Sequence, residues 1–458
     1  MQWLKRKKKV LVPYQLKDHG LAENLKTKSQ VNLALLKNGR TEIFRIENHE
    51  IENADLINQV AMNQNSPLDQ ALSLFEYSQS IRRDLHRNPE IGFHEFRTSQ
   101  VVINELAALG YEVQSGIAET GVVGLLPGVD GYPVIMLRFD MDALPIQEEN
   151  QTDYVSQNPG VMHACGHDAH VAIGLTIARL LASTEETRRA TIKLIFQPAE
   201  EGLGGAERMI AEGVLTNPKP DFALGLHVWN ERPTGWMGIS SGPIMAGADT
   251  FRVNIQGKGG HGGHPHETID PIVAAAQVVS ACQTIVSRTV SPLDSAVVSF
   301  CQIQGGSTFN VIPHQVVMGG TIRSYLPKVR ANILQQIERI VENISRGMGC
   351  EGIVEVKEIT PTLTNHSGVA NKLVTAFRKK FNTLQIDDHF QTMVSEDFAF
   401  FLKDVPGAFF FVGSSNANLG LNFGHHHPQF DIDEMVIPIA VSLMIEAVAE
   451  LSQKSLSE

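Results

Sequence analysis

The stretch VMHACGHDAH, residues 161–170, sets His163, Cys165, His167 and Asp168 among apolar Val161, Met162, Ala164 and Ala169. Thiolate, imidazole and carboxylate together are the donor set of zinc and related ions. Other places offer the same residue types. RFDMDALP carries Asp140 and Asp142, QPAEE carries Glu200 and Glu201, and GLHV carries His227. Far downstream, GHHHPQFDID supplies His425, His426 and His427. Each is ordinary alone: an aspartate after a strand often caps the next helix, and paired glutamates are usually a solvated face. Their conjunction points to a metal centre. The glutamate pair adds a hydrolytic logic. A metal lowers the pKa of its water from about 15.7 towards about 7, one carboxylate can hold the ion, and a second can take the proton.

The elements that must position these groups follow from periodicity. A helical pattern runs from Pro67 to Arg87, with Leu68, Leu72, Phe75, Ile81 and Leu85 on one face. A second helix is expected over about 95–109 and a third over about 169–183. GVVGLLP, PVIMLRFD, TIKLIFQ and FALGLHV read as strands, and GGAERMIAEG as a helix between the last two. Strands alternating with helices imply an α/β domain with a largely parallel sheet, and ligands gather beyond the carboxyl ends of such strands. Asp140, Asp142, Glu200, Glu201 and His227 all fall at strand ends.

From about 246 to 357 the order changes to β-α-β-β-α-β, the pattern of a ferredoxin-like α+β unit. The expected organisation is an extension over 1–65, with a short strand at TEIFRIEN, then the first part of the α/β domain over 66–245. An inserted domain covers 246–357, and 358–458 returns to the α/β domain with GAFFFVG and a last helix. GKGGHG at 257–262 matches G-x-G-x-x-G, yet Pro265 intervenes before a helix that starts near Asp270, and no acidic residue closes a second strand about 20 residues on. The glycines are read instead as letting the backbone turn and present His261 or His264.

Composition narrows the classes. Hydrophobic residues make up 43% and charged ones 19%, which predicts a filled core, and the net charge of −12 disfavours nucleic acid as a partner. No apolar run is long enough to span a membrane. The basic start, MQWLKRKKK, is followed by too short an apolar run for a signal peptide. The four cysteines form no C-x-x-C pair, Cys282 and Cys301 read as core residues, and a reducing cytoplasm is expected.

RFDMDALP, HACGHDAH, FQPAEEG, GLHVW, GKGGHGGHPH, FNVIP, SEDF and HHHPQFDID occur in an order that resembles the amidohydrolase/metallopeptidase family of hippurate hydrolase. That family includes N-acyl-amino-acid amidohydrolases and plant hydrolases of auxin–amino-acid conjugates, and the resemblance covers about 67–450. It implies two domains, a catalytic α/β domain with a largely parallel mixed sheet and a ferredoxin-like lid used for dimerisation. It implies two divalent ions per subunit, zinc or manganese, with cobalt or nickel also compatible. The ligands would be Cys165, bridging, with His167, Glu201, His227 and His426. Asp142 would stand behind them and Glu200 would be the general base. His261 would reach a partner subunit's site to hold the oxyanion, and Asn310 and Arg323 would face substrate. The expected reaction is hydrolysis of an N-acyl amino acid by metal-activated water in a homodimer or higher homo-oligomer formed through the lid. The alternatives are a dipeptidase or aminopeptidase of the same fold, and a non-catalytic metal-binding dimer that binds peptides. Phe139, Gly262, Gly263 and His264 depart from the family's usual residues and are expected to reshape the acyl pocket.

Overall fold

The computed structural model describes residues 30–37, 40–47, 66–183 and 189–453. Two units divide the chain, Met1–Gln59 and Val60–Glu458. In the first, β1 (Gln30–Lys37) and β2 (Arg40–Glu47) pair antiparallel, so the expected strand at TEIFRIEN exists and has a partner.

The second unit opens with α1 (Pro67–Leu72) and α2 (Phe75–Arg87), where one helix was expected. The break falls at Ser73 and Leu74, whose N–H groups bond back to Asp69 and Ala71. The chain continues through α3 (Phe96–Ala108), β3 (Glu112–Ile117), β4 (Gly121–Leu126) and β5 (Val134–Asp140). Next come α4 (His167–Ser183), β6 (Thr191–Gln197), α5 (Gly205–Ala211), β7 (Phe222–Pro233), β8 (Trp236–Gly238) and β9 (Gly242–Met245). β3 has no counterpart in the expected elements. It is a largely exposed edge strand, so it carries no apolar run to betray it.

The inserted unit is built of β10 (Gly247–Gln256), a short β11 (Gly260–His261), α6 (Pro271–Thr284) and β12 (Ala296–Gln304). It ends with β13 (Val311–Ile312), β14 (Gln315–Ser324), α7 (Pro327–Gly347) and β15 (Glu351–Thr360). Its sheet runs β12-β14-β10-β15, antiparallel throughout, which is the ferredoxin-like order. Phe251, Val253 and Ile255 alternate inward from β10 and meet Val278 of α6 and Ile333 and Ile337 of α7, giving this unit its own core.

The chain then forms β16 (Leu363–Asn365), α8 (Ser367–Lys380), β17 (Gln385–Asp387), α9 (Ala399–Asp404), β18 (Gly407–Ser415) and α10 (Val436–Leu451). β17 and β18 complete an eight-stranded sheet of order β17-β8-β18-β7-β5-β6-β4-β3. Its central strands β18, β7, β5 and β6 are mutually parallel, and antiparallel pairs lie towards both edges. α10 is buried almost all round, as its near-continuous apolar sequence requires. Among the described residues no helix is long and apolar enough to cross a membrane.

Candidate metal centre and active site

Side chains alternate across a strand, and β5 uses this to separate core from chemistry. Phe139 points to one face, where it packs 5.5 Å from the Phe196 ring and against Gly174 of α4. It therefore fills the core, which corrects the expectation that it shapes an acyl pocket. Arg138 and Asp140 face the other way. The buried Arg138 guanidinium binds Asp140 at 2.6 Å and Glu396 and Asp397 at 2.9 Å each.

α4 begins at His167, two residues before its expected start. Gly166 has φ +86°, and a Cβ there would lie 2.5 Å from Val228 Cγ2, so only glycine fits. Its carbonyl accepts the N–H groups of Ala169 and His170, which draws His167 and Asp168 into the first helical turn. Cys165, just before this turn, and His167, just inside it, thereby face His227 of β7.

The donor atoms of Cys165, His167 and His227 lie within 4.8 Å of one another, and so do those of Cys165, Glu201 and His426. Cys165 belongs to both groups. His167 also groups with Glu200 and Glu201 and with Asp140 and His170, and Glu200 groups with Glu396 and Asp397. Cys165 Sγ is 3.5 Å from His227 Nε2 and 3.8 Å from His425 Nδ1, and His426 Nε2 is 3.2 Å from Glu201 Oε1. His425 is turned to structure: its Nε2 accepts the Asn230 N–H, and its ring packs on Trp229 and Phe430.

The buried donors suit a metal. His167 Nδ1 donates to the Asp142 carbonyl at 2.9 Å and His227 Nδ1 to the Val228 carbonyl at 2.6 Å. Carbonyls accept only, so both Nε2 atoms face the group, the arrangement of imidazole ligands held by their other nitrogen. His167 Nε2 is buried with no hydrogen-bond partner. Burial depresses the His167 pKa, but Asp140, Asp142 and Glu201 outweigh it and hold it at about 10. The surroundings thus call for positive charge at this nitrogen, which a proton or a metal ion can supply. Burial, with Glu201 and Glu200, pushes the Cys165 thiol well up, so a thiolate there also needs a cation.

The adjacent glutamates differ sharply. Burial, then the charges of Glu396, Glu201 and Asp397, push the Glu200 carboxyl well above its ordinary range. Burial pushes Glu201 up too, but the His426 hydrogen bond and the His167 charge prevail and hold it down. Two neighbouring carboxyls driven apart are the pattern of one ionised ligand and one proton carrier. Asp142 stands behind both sides of the group. Its Oδ1 is 3.3 Å from His167 Nδ1, and its Oδ2 accepts the Glu201 N–H at 3.1 Å.

The lid residues stand elsewhere. His261 is exposed on the β11–β13 ribbon, where its Nδ1 accepts the Gly263 N–H and the Asn310 carbonyl accepts the Gly262 N–H. His261 belongs to no group of His, Cys, Asp and Glu donors among the described residues. The glycines here permit close backbone approach. A Cβ on Gly257 would lie 2.3 Å from the Ile269 carbonyl oxygen, and one on Gly259 2.7 Å from that of Ile312. α6 begins at Pro271, capped by Asp270, so no helix opens on these glycines as a dinucleotide fingerprint demands. Arg323, half-buried on β14, donates to Ser395 Oγ at 3.0 Å and has no carboxylate partner among the described residues.

Four buried groups beside the centre carried no assignment from the sequence. His170 donates from Nδ1 to Asp140 at 2.5 Å and accepts the Val228 N–H at Nε2. Arg138, Glu396 and Asp397 form the ion cluster behind Glu200. A signal existed for each: an arginine inside an apolar strand, the SEDF motif, and a histidine three residues after His167 on the same helix face.

A mixed α/β sheet with a ferredoxin-like insertion, and with His, Cys and carboxylate donors gathered beyond its strand ends, is an arrangement able to hold metal ions. Residues 136–450 match the family model described as Peptidase family M20/M25/M40, and the chain belongs to that family. The chain is 40% identical over 376 residues to the IAA-amino acid hydrolase ILR1-like 5 of Arabidopsis thaliana, covering 81% of this chain and 85% of that protein. It is 38% identical over 371 residues to the N-acetyl-L-cysteine deacetylase of Bacillus subtilis, covering 81% and 87%. The structure is similar, with TM-score 0.73 and 32% identity, to a dinuclear metal-binding M20 peptidase of Bacillus subtilis, covering 83% of this chain and 99% of that one. The protein is an amide-hydrolysing enzyme of this family.

Proposed function

We propose that the protein hydrolyses the amide bond of N-acyl amino acids, with two divalent metal ions per subunit and Glu200 as the general base. The observation that carries this reading is geometric: two donor groups share Cys165, and Glu200 stands within 4.8 Å of both His167 and Glu201 beside them. Cys165, His167 and His227 would hold one ion, and Cys165, Glu201 and His426 the other. When bound, such ions act as Lewis acids that polarise the scissile carbonyl and acidify a water. Zinc suits the thiolate on softness grounds, and manganese, cobalt or nickel suits the nitrogen and oxygen donors.

The remaining steps belong to the chain's own groups. A Glu200 carboxylate oxygen takes a proton from the water as its oxygen joins the carbonyl carbon. The same oxygen returns that proton to the amide nitrogen as the C–N bond breaks, releasing a carboxylic acid and an amine. Arg323, with no salt-bridge partner among the described residues, binds the free carboxylate of the amino acid by its paired N–H groups. Asn310 contacts substrate from the lid. His261 donates to the developing oxyanion, a task that preorganised donors perform well. The exposed setting of His261 supports a role across a homodimer, with lid residues 246–357 forming the contact. Residues 66–245 and 358–458 are the catalytic domain, 1–65 are an extension, and the cytoplasm is the compartment that keeps the Cys165 thiol reduced.

Glu200→Gln tests the reading. Metal per chain should be unchanged while turnover falls by about 100- to 10,000-fold on acetyl- and benzoyl-amino acids. Wild-type turnover in the metal-loaded variant would refute the assignment. A parallel screen on dipeptides separates an acyl-amino-acid hydrolase from a dipeptidase.

A further inference from the structure

The loop after β6 carries Glu200 and Glu201 in an unusual backbone. Ala199 has φ +55°, in the left-handed region where a side chain is strained. Such a conformation persists only where its surroundings over-determine it. The two residues flanking Glu200 each give their N–H to a buried carboxylate. Glu201 gives its own to Asp142 at 3.1 Å, and Ala199 gives its own to Glu95 Oε1 at 2.9 Å.

Glu95 comes from far upstream, at the start of α3, and it is fully buried. Among the described residues no cation pairs with it. Its other oxygen, Oε2, accepts the Thr120 hydroxyl at 2.5 Å, and the Thr120 carbonyl accepts the Ser99 hydroxyl. The loop is also fitted closely against the chain just before Glu95. A Cβ on Gly92 would lie 3.0 Å from both Cα and Cβ of Ala199. The Gly205 N–H bonds to the Ala199 carbonyl from the other side. A buried carboxylate without a counter-ion is costly, and the main-chain group it serves belongs to the residue preceding the general base.

We propose that Glu95 is a positioning residue for Glu200. It accepts the Ala199 N–H, holds that residue in its left-handed conformation, and so aims the Glu200 carboxylate. Thr120 orients Glu95 in turn. This rests on the reading of Glu200 as the base. Misplacing a catalytic group by about 1 Å can cost about 100-fold. The substrate carboxylate is bound by Arg323, on another element, so the loss should fall on kcat and leave KM nearly unchanged.

The experiment measures kcat and KM per metal-loaded chain, with metal content from elemental analysis, for Glu95→Ala, Glu95→Gln, Thr120→Val and Glu200→Gln. Glu95→Ala is expected to lower kcat by about 10- to 100-fold. Glu95→Gln keeps an oxygen for the Ala199 N–H and should restore kcat to within several-fold of wild type. Thr120→Val should lower kcat several-fold, again without a change in KM. A purely structural role would lower the yield of folded protein and leave kcat per metal-loaded chain at the wild-type value. That result for Glu95→Ala, or a Glu95→Gln variant as impaired as Glu95→Ala, overturns the proposal. If Glu95→Ala does not fold, Thr120→Val decides: wild-type kcat overturns the proposal and a kcat-only loss supports it. An active Glu200→Gln would fail the base assignment itself, whereas an inactive Glu200→Gln beside a fully active Glu95→Ala would fail only the positioning role.

Discussion

Asp142→Ala removes a side chain that serves two proposed ligands at once. Its Oδ1 lies 3.3 Å from His167 Nδ1 and its Oδ2 accepts the Glu201 N–H at 3.1 Å. The main-chain carbonyl of residue 142, 2.9 Å from the same His167 nitrogen, survives the substitution. His167 therefore keeps its tautomer but loses part of its restraint, while Glu201 loses the anchor of its backbone. Loss of a group that orients a metal ligand typically costs about 10- to 100-fold in metal affinity. With His167 losing part of its restraint and Glu201 its backbone anchor, the expected loss is in that range, about 1.4–2.7 kcal/mol. Competition with a fluorescent zinc chelator reads this affinity directly and needs no substrate. Asp142→Asn keeps an oxygen for the Glu201 N–H and should fall between Asp142→Ala and wild type. Equal zinc affinity in wild type and Asp142→Ala would refute both the ligand set and the placing of Asp142 behind it.

Cys165→Ser should lower metal per chain, because a hydroxyl is a poor anionic ligand near neutral pH; unchanged metal in elemental analysis would return Cys165 to a packing role. Mixing inactive Glu200→Gln with inactive His261→Ala under conditions of proven subunit exchange should restore part of the activity if His261 acts across the dimer. Confirmed mixed dimers without activity would rule that out. His86 gives a pH test. Burial and Arg82 press its pKa down, but Asp168 at 2.7 Å and Glu148 at 3.2 Å prevail and hold it at about 9, against 6.5 for the free group. A raised pKa means the folded state holds the proton more tightly, so this stabilisation is complete below about pH 6.5 and lost as pH rises through 9. The stability advantage of wild type over His86→Gln in urea unfolding should therefore shrink by about 3 kcal/mol across that window. A difference that stays constant with pH would contradict it.

The amino-acid sequence determined what its periodicities encode. Strands buried on both faces, PVIMLRFD and TIKLIFQ, are continuous apolar runs and were legible, as was the β-α-β-β-α-β order of the lid. The donors Cys165, His167, Glu201, His227 and His426 were legible as residue types at strand and helix ends. Periodicity and spacing left His425, His426 and His427 equivalent, and only the family resemblance, with its ligand two places before Pro428, singled out His426. Edge strand β3 was not legible, because a strand that buries little needs no apolar pattern. Only the tertiary structure decided which donors meet, since Cys165 and His426 are separated by most of the chain and approach through folding alone. It also decided that Phe139 belongs to the core while Arg138 and Asp140 belong to the site. That outcome depends on which face of β5 helix α4 covers, with Gly174 leaving room for the Phe139 ring. Glu95 is the clearest case. Nothing local in GFHEF marks it, because its partner is a backbone N–H about a hundred residues away, and a main-chain donor has no sequence signature.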